Sequence, residues 1–301
     1  MRVIILGSAA GGGLPQWNCG CANCRAARDG GAARTQSSVA VSADGERWIL
    51  LNASPDLRVQ LGAHRSLWPR GARGTPITAV ILTDGEIDHT LGLMLLREGT
   101  SKLPVYAPTG VAALLGAEWP LYRVLAAYAG VDARALPEAR PLQLADAGGE
   151  SLGIQCTALP VARRPPRYAH AAPAATFDVG LRLRDERTGG TLAYIPTAGA
   201  VDDAVRGTAT GADVLLFDGT FWSDGELRAA GADAPTAREM GHLPVGGPAG
   251  GIELLPRVGA KRTVLVHINN TNPILCRTSG ERAQVEAAGL EVGEDGMEFE
   301  L

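Results

Sequence analysis

The sequence predicts an α/β fold, a four-layer αβ/βα sandwich built by a single domain over residues 1–301. Short apolar segments rich in β-branched residues recur along the whole chain, as expected for buried strands. Segments with helical spacing lie between several of them. The chain therefore has two β-rich halves with interspersed helices, which fits two sheets packed face to face with helices outside.

The strand-like and helix-like segments alternate along much of the chain. The strand-like segments are residues 3–6, 48–51, 78–82, 153–158, 179–183, 192–195, 214–217 and 263–266. The helix-like segments are residues 92–97, 110–115, 120–129, 250–255 and 280–288. Stop signals at Gly130 and Gly289 end two of these helices. The stretch 163–173, rich in Ala, Arg and Pro, is predicted to be a mobile loop over a site.

Composition limits the classes of function. Apolar residues make up 46% of the 301, which is ample for a large core, and no apolar stretch is long enough to span a membrane. The net charge is −4 and no basic block is present, so we expect no nucleic-acid partner. The N-terminal apolar run is short and ends in a glycine loop, unlike a signal peptide, so a cytoplasmic protein is expected.

The most informative motif is the heptapeptide TDGEIDH, directly after the apolar run 77–82. It is typical of a loop between a strand and a helix, at the carboxyl end of the strand, where open α/β sheets hold their sites. Asp84, Glu86, Asp88 and His89 place three carboxylates and an imidazole within six residues. Carboxylates this close repel one another, and a divalent cation would remove that conflict. The alternative is a carboxylate loop that caps the following helix.

A distant histidine completes a candidate ligand set. His267 directly follows the apolar strand 263–266 and opens a loop. Asp88, His89 and His267 are two histidines and one carboxylate on strand ends. Non-haem Fe(II) oxygenases use that set to hold iron and leave positions open for substrate and dioxygen.

Three further ionisable residues have predicted roles around these ligands. Asp84 and Glu86 are predicted to be catalytic acid or base groups, or else partners that support the metal ligands. His242 stands between a possible helix and a glycine pair. It is predicted to be either a structural histidine or a catalytic group that shapes protonation and substrate position.

A second candidate metal site is the cysteine loop at residues 17–25. Cys19, Cys21 and Cys24 form a C-x-C-x-x-C cluster, and three thiolates at this spacing suit a structural zinc ion. In a reducing compartment such a cluster favours a metal over disulfides. Cys276 is one candidate for the fourth ligand.

A glycine-rich loop, residues 7–13, follows the first strand. It leads into Pro15 and the cysteine loop rather than into a helix, so it does not predict a dinucleotide site. Its glycines are expected to let the backbone approach a metal or substrate closely.

Together these motifs resemble the coenzyme PQQ synthesis protein B family, a branch of the metallo-β-lactamase superfamily near the ribonuclease Z and phosphonate-pathway phosphodiesterase groups. The stretches that carry the resemblance span the whole chain: GSAAGGGLPQWNCGCANC, RTQSSVAVS, NASPDLRVQL, ILTDGEIDHTLGLMLLREG, LLFDGTFWSDGE, MGHLPVGGP and HINNTNPIL. The resemblance implies the metallo-β-lactamase-like sandwich. Related phosphodiesterases of this fold carry a histidine at the position of Asn270, which makes Asn270 a further candidate for the fourth zinc ligand.

Departures from the superfamily pattern bear on the chemistry. The TDGEIDH loop has the spacing of the superfamily motif H-x-H-x-D-H, with Asp84 and Glu86 in place of the first two histidines. Segment 159–163 lacks the expected third-motif histidine, segment 196–199 lacks the expected bridging aspartate, and Asn52 replaces an early aspartate. A two-zinc hydroxide nucleophile needs those ligands. The sequence therefore favours a mononuclear site over a dinuclear hydrolytic one.

The family implies a step in making pyrroloquinoline quinone from a precursor peptide that contains glutamate and tyrosine. An Fe(II)-dependent oxygenase that hydroxylates the tyrosine ring of the glutamate–tyrosine product fits the remaining ligands. The expected partner is this small, dipeptide-like precursor, with other pathway proteins as further candidates and a homodimer as one option for the assembly. Two alternatives stay open: a carrier of the cofactor or its precursor, and a metal-dependent hydrolase or peptidase of the precursor peptide.

Overall fold

A computed structural model describes residues 1–162, 165–169 and 176–301. The predicted mobile loop 163–173 lies largely outside the described residues, and so does His170 within it. The described part of the chain forms two sheets with helices on their outer faces.

Each sheet contains seven strands among the described residues. The strands are β1 Arg2–Gly7, β2 Ser38–Ser42, β3 Trp48–Leu51, β4 Ile77–Ile81, β5 Leu103–Ala107, β6 Val131–Ala135, β7 Leu142–Ala145, β8 Ser151–Ala162, β9 Asp178–Asp185, β10 Thr191–Ile195, β11 Val214–Asp218, β12 Arg262–Val266, β13 Glu291–Val292 and β14 Glu298–Glu300. The first sheet has the order β14-β1-β2-β3-β4-β5-β6, and the second has the order β13-β12-β11-β10-β9-β8-β7.

The helices are mostly short. They are α1 Ala22–Arg28, α2 Leu57–Ala63, α3 Ile87–Thr90, α4 Thr109–Gly116, α5 Leu121–Leu125, α6 Asp203–Ala209, α7 Glu226–Ala229, α8 Gly251–Leu254 and α9 Gly280–Ala287. Single 3₁₀ turns cover Arg65–Leu67, Leu91–Leu96, Leu255–Arg257 and Pro273–Leu275. None of the helices formed by the described residues combines the length and apolar character that a membrane span requires.

Three apolar layers hold the sandwich together. Successive side chains of a strand face opposite sides of its sheet. In β1, Ile5 therefore packs between the two sheets while Ile4 packs on the outer face. In β11, Leu216 faces the middle layer and Leu215 faces outward. The predicted α/β sandwich fold is confirmed.

Helices cover both outer faces. Leu57 of α2 and Val111 of α4 join the outer layer of the first sheet. Val205 of α6 and Val285 of α9 join the outer layer of the second sheet. These four side chains are all fully buried, so each outer layer is shielded from water as a four-layer arrangement requires.

Seven of the eight predicted strand segments lie within strands and the eighth, 78–82, passes the end of β4 by one residue, but two helix predictions are wrong. Segment 92–97 is a 3₁₀ turn because the chain there bonds to the loop after β3. The Gly92 N–H donates to Ala53 O at 2.9 Å, and a Cβ on Gly92 would lie 2.2 Å from Ser54 O. Segment 120–129 is helical only over Leu121–Leu125 and continues as turns.

The sheet topology brings the candidate site residues to one edge. Strands β3 to β6 run parallel in the first sheet, and β10 to β13 run parallel in the second. The loops after β4, β11 and β12 carry the TDGEIDH motif, Thr220 and His267. The carboxyl ends of parallel strands are where α/β sheets collect their sites.

The carboxylate of Asp295, near the C-terminus, connects the glycine loop with Thr35. Asp295 Oδ1 accepts hydrogen bonds from Ser8 N at 2.9 Å and Ser8 Oγ at 2.7 Å. Asp295 Oδ2 accepts from Thr35 N and Thr35 Oγ1, both at 2.7 Å. Ser8 is fully buried, so its N–H could not form a hydrogen bond with water if this acceptor were removed.

We expect Asp295→Ala to lower the free energy of unfolding by about 3 kcal/mol, because it leaves buried donors without an acceptor. Urea unfolding followed by circular dichroism measures the change. Glu298→Ala is the matched control, since Glu298 is an exposed carboxylate 3.8 Å from Arg2. It should change stability by no more than about 0.5 kcal/mol. Equal effects of both variants would contradict the role given to Asp295.

Candidate metal centre

The TDGEIDH loop folds around the buried carboxylate of Asp84. Asp84 follows β4 and is 2% exposed. Its Oδ1 accepts from Glu86 N at 3.0 Å, and its Oδ2 accepts from Thr83 Oγ1 at 2.9 Å. These bonds turn the chain so that α3 begins at Ile87 and directs Asp88 and His89 toward the carboxyl edge of the sheet.

Three ligand atoms converge at this edge. Asp88 Oδ2 lies 3.3 Å from His267 Nε2 and 3.6 Å from His89 Nε2. One potential ligand atom from each of the three residues lies within 4.8 Å of the others. The structure thus brings together the three residues proposed as ligands from sequence, although His267 comes from the opposite sheet. Their role as ligands stays a prediction.

The environment of His89 fits a metal ligand. Its Nδ1 donates to the Asp84 carboxylate, at 2.7 Å to the nearer oxygen. In the neutral imidazole this leaves the lone pair on Nε2. That Nε2 is buried and has no hydrogen-bond partner among the described residues. Buried polar atoms are normally paired, so an orphaned nitrogen beside two other donors fits coordination of a cation.

His267 is held by an equivalent set of contacts from the second sheet. Its Nδ1 lies 2.8 Å from Thr220 Oγ1, and Thr220 Oγ1 lies 2.6 Å from Asp218 Oδ1. Thr220 Oγ1 also lies 2.8 Å from His267 O, but the ionised carboxylate is the nearer and stronger acceptor, so the hydroxyl donates to Asp218 and accepts from His267 Nδ1–H. His267 Nε2 therefore faces Asp88. The backbone of His267 has φ +54°, a left-handed conformation that is uncommon for a non-glycine residue and often marks a functional site.

His242 shares the carboxylate of Asp218. Its Nδ1 donates to Asp218 Oδ2 at 2.8 Å, and its ring stacks on that of His267 with 5.6 Å between centroids. Asp218 also accepts from the backbone N–H groups of Ala198 and Thr220. Asp218, His242 and His267 could geometrically hold a second ion. Both oxygens of Asp218 and the Nδ1 atoms of both histidines already take part in hydrogen bonds. We therefore describe Asp218 and His242 as residues that support the site formed by Asp88, His89 and His267.

Asp84 is buried and is not among the described residues that line the cleft, so its predicted role as a catalytic acid or base stays a prediction. It stands behind His89, which fits the alternative role of a partner that orients a ligand. Glu86, by contrast, faces the cleft. The structure also adds Asp218 and Thr220, which the sequence reasoning missed. The available signal was a carboxylate at the end of an apolar strand, followed by Gly and Thr.

Crowded charges perturb the ionisable groups in this loop. Burial raises the pKa of Glu86 to about 7, and the negative charges of Asp84 and Asp88 act in the same direction. Burial lowers the pKa of His89, but the charges of Asp84 and Asp88 outweigh it and raise the value to about 10. The predicted mutual repulsion of the three carboxylates is therefore expressed mainly at Glu86.

The glycine loop packs directly against a candidate ligand. A Cβ on Gly11 would lie 3.2 Å from Asp88 Oδ2, so only a residue without a side chain fits without a shift. The same loop is bonded to the segment after His267, because Ala10 N–H donates to Ile268 O and Ile268 N–H donates to Ser8 O, both at 2.9 Å. The loop therefore lies against a candidate metal ligand, and its predicted approach to a metal or substrate stays a prediction.

The cysteine loop forms a second group of donors. Cys19, Cys21 and Cys24 each offer a sulfur within 4.8 Å of the others. The side-chain amide of Asn270 lies against them, with Nδ2 at 3.1 Å from Cys19 Sγ and 3.3 Å from Cys24 Sγ. Cys276 is exposed, bonds to Thr278 and is not part of this group. Asn270 is therefore the better placed of the two candidates for the fourth ligand.

One cleft connects both groups. Its volume is about 1970 Å³, and Asp88, His89, His242 and His267 lie on its floor together with Glu86. The cysteine loop forms one wall through residues that include Asn18, Cys19 and Gly20. Three arginines also line it: Arg25, Arg167 and Arg228. Thr197 lines the cleft in the segment where the bridging aspartate of the superfamily was expected.

Comparison with known proteins identifies the family. The model of the beta-lactamase superfamily domain matches residues 47–268. Coenzyme PQQ synthesis protein B of Cupriavidus necator is 46% identical over 309 residues, covering 99% of this chain and 98% of that protein. The protein of the same name from Pseudomonas paraeruginosa is 46% identical over 313 residues and covers all of both chains.

Solved structures agree. Zn²⁺-bound PqqB from Methylobacterium extorquens superposes with a TM-score of 0.89 at 40% identity, over the full length of both chains. A diphosphatase from the PhnP family superposes with a TM-score of 0.68 at 22% identity, which shows a shared fold alone. The chain belongs to the coenzyme PQQ synthesis protein B family, on the beta-lactamase superfamily fold.

Proposed function

We propose that this chain acts in the biosynthesis of pyrroloquinoline quinone as a mononuclear Fe(II)-dependent oxygenase. Its proposed substrate is a glutamate–tyrosine intermediate whose tyrosine ring becomes hydroxylated. Family membership supports the pathway, because the relatives are named for PQQ synthesis. The single observation that carries the chemistry is the buried, unpartnered Nε2 of His89 beside His267 Nε2 and Asp88 Oδ2.

The donor set favours iron over a purely structural ion. Two imidazoles and one carboxylate leave several coordination positions open toward the cleft, and bound Fe(II) would supply activation of dioxygen there. Addition of one oxygen atom to a ring carbon consumes O₂, two electrons from an external reductant and two protons, and it releases the second oxygen atom as water. The protein residues hold the ligands, position the ring and manage protons.

His242 and Glu86 are the proposed catalytic groups. His242 Nδ1 is bound to Asp218, so Nε2 is the nitrogen left to hold or release a proton at the substrate. Glu86 presents its carboxyl group to the same cleft. Both flank the ligand set rather than belong to it, and side chains in such positions can transfer protons during catalysis.

The cysteine loop is proposed to hold structural zinc. Three thiolates and one further donor make a closed tetrahedral set. The oxygen and nitrogen of an amide are assigned from their contacts, and rotation of the Asn270 amide by half a turn would point Oδ1 at the three sulfurs. The zinc-bound relative from M. extorquens is consistent with a zinc site in this family.

A dinuclear hydrolase is the less favoured alternative. Its second metal would need Asp218, His242 and His267, but hydrogen bonds already engage both oxygens of Asp218 and the Nδ1 atoms of both histidines. A carrier would use the same cleft without consuming oxygen. Metal content and oxygen uptake distinguish the proposed oxygenase from the hydrolase and from the carrier.

The two proposed metal sites should be separable by one substitution. We expect His267→Asn to abolish iron binding and leave one zinc ion per chain, measured by elemental analysis after anaerobic loading. Asn is chosen because it tolerates the left-handed backbone at this position better than Ala. His64→Asn, at the end of α2 and away from the cleft, is the control and should retain both metals. Equal loss of both metals from His267→Asn would contradict two independent sites.

The reaction itself is tested by single-turnover chemistry. We load the protein with Fe(II) anaerobically, add a cross-linked glutamate–tyrosine substrate and a reductant, and then admit ¹⁸O₂. The expected product carries one ¹⁸O atom on the ring, detected by mass spectrometry. Tight substrate binding without oxygen uptake would support the carrier reading instead. Release of a cleaved peptide, with two metals at the centre, would support the hydrolase reading.

The cleft arginines provide a test of substrate charge. The proposed substrate carries carboxylates. The guanidinium groups of Arg25 and Arg167 form no hydrogen bond or ion pair with a described residue, whereas that of Arg228 bonds to Ala234 O and pairs with Glu239. A charge-assisted hydrogen bond contributes about 1.5–3 kcal/mol. We therefore expect Arg167→Met to raise KM at least about tenfold while changing kcat much less.

Arg58→Met is the matched control for this measurement. Arg58 is exposed on α2 and does not line the cleft. Its removal should leave KM unchanged. An unchanged KM in Arg167→Met would exclude contact between this guanidinium and the substrate.

A further inference from the structure

A chain of buried polar groups leads from the layer between the sheets to a candidate metal ligand. Asn52 lies directly after β3, is fully buried and has φ +62°. Its side chain contacts Thr83, which in turn contacts Asp84, and Asp84 accepts from His89 Nδ1. The contact between Asn52 and Thr83 has no role in the proposed mechanism or in the turn of the TDGEIDH loop.

The contacts fix the orientation of the Asn52 amide. Asn52 Oδ1 accepts from the backbone Thr83 N–H at 2.9 Å. A backbone N–H only donates, so the oxygen must occupy this place and the NH₂ group must occupy the other. Asn52 Nδ2 therefore donates to Thr83 Oγ1 at 2.8 Å, and it lies 3.4 Å from Tyr194 Oη.

This orientation decides where the Thr83 proton goes. Thr83 Oγ1 lies 2.9 Å from Asp84 Oδ2 and 3.2 Å from Asn52 Oδ1. The hydroxyl has one proton, and the ionised carboxylate is both the nearer and the stronger acceptor. Because the Asn52 NH₂ group donates a hydrogen bond to Thr83 Oγ1, the Thr83 hydroxyl can donate its own hydrogen to Asp84. All donors in the chain then point toward the carboxylate that holds His89.

We propose that Asn52 is a positioning residue that sets the direction of this hydrogen-bond chain and thereby presents His89 Nε2 to the metal. This inference deepens the proposed metal centre and rests on it. An aspartate at position 52 could not donate. It would compete with Asp84 for the single Thr83 proton and would place two buried carboxylates on either side of one hydroxyl, which is unfavourable.

Two substitutions together should reverse the direction of this hydrogen-bond chain. With Asn52→Asp and Asp84→Asn together, the new carboxylate at position 52 accepts the Thr83 proton, and the new amide at position 84 donates to Thr83 Oγ1. The oxygen of that amide still accepts from His89 Nδ1–H. With the amide oxygen in the place of Asp84 Oδ1, which lies 2.8 Å from His89 Nδ1, the contacts between positions 52, 83 and 84 again pair a donor with an acceptor, so we expect the two substitutions to compensate each other.

The test is a double-mutant cycle on metal affinity. The thiolate site is first filled with Zn²⁺, and Co²⁺ is then titrated into the second site and followed by its visible absorption. We expect Asn52→Asp alone to weaken Co²⁺ binding about 10- to 100-fold, as for other groups that orient a ligand. In the Asp84→Asn background the same change should cause no further loss. An equal loss in both backgrounds overturns the proposal, because independent sites simply add.

A second pair of variants tests the proposal even if Asn52→Asp does not fold. Thr83→Val removes the hydroxyl that carries the chain, and Thr83→Ser keeps it. We expect the valine variant to lose Co²⁺ affinity to a similar degree and the serine variant to retain it. Equal affinities in the two variants overturn the proposal.

A metal-free readout distinguishes this proposal from the metal centre itself. The proton between His89 Nδ1 and Asp84 is observed by NMR with ¹⁵N-labelled histidine. Asn52→Asp should shift this signal, and the Asn52→Asp/Asp84→Asn pair should restore a sharp one. If the wild-type protein bound no Co²⁺ here while the signal still responded, the proposed metal centre would fail and the hydrogen-bond chain would stand. An unresponsive signal would overturn the chain.

Discussion

The hydrogen bond from His89 Nδ1 to Asp84 is the contact on which the candidate centre depends. It decides which nitrogen of His89 faces the cleft, and it fixes the plane of the ring. A buried carboxylate is costly unless donors surround it, and Asp84 obtains them from Thr83, from the backbone of Glu86 and from His89. The same bonds that stabilise the carboxylate therefore determine the conformation of the whole TDGEIDH loop.

The second constraint is that the ligands come from opposing sheets. Asp88 and His89 follow β4 of the first sheet, and His267 follows β12 of the second. Their ligand atoms can converge only if the apolar layer between the sheets fixes the spacing. The glycine loop reinforces that spacing at the site: Gly11 lies against Asp88, and the backbone of Ser8 and Ala10, just before it, bonds to Ile268. The site is thus assembled by packing between sheets, and close-packed interiors hold such distances tightly.

Local sequence patterns were enough to predict the apolar strands that carry the site, but they missed the interior strands β2 and β5 and the strands at the sheet edges. β4 and β12 are apolar runs followed by ionisable loops, and such runs predict both a strand and a site at its end. β13 has two residues and β14 has the sequence EFE, so neither is long enough to show a period. The convergence of His267 on Asp88 could be proposed from residue type. The partnership of Thr220 and Asp218 with His267 could not, because it depends on a loop conformation that no spacing encodes.

The two donor groups differ in how completely the protein closes them, and that difference accounts for their different proposed roles. Around the cysteines, Asn270 Nδ2 lies within 3.6 Å of all three sulfurs, so four side chains offer donors for one ion. Around Asp88, three described side chains offer ligand atoms, and all three line the cleft. Closed sets suit structural ions, and open sets suit catalysis. The cysteine loop also lines the cleft, so an ion held there would stabilise the shape of the pocket that is proposed to bind the substrate.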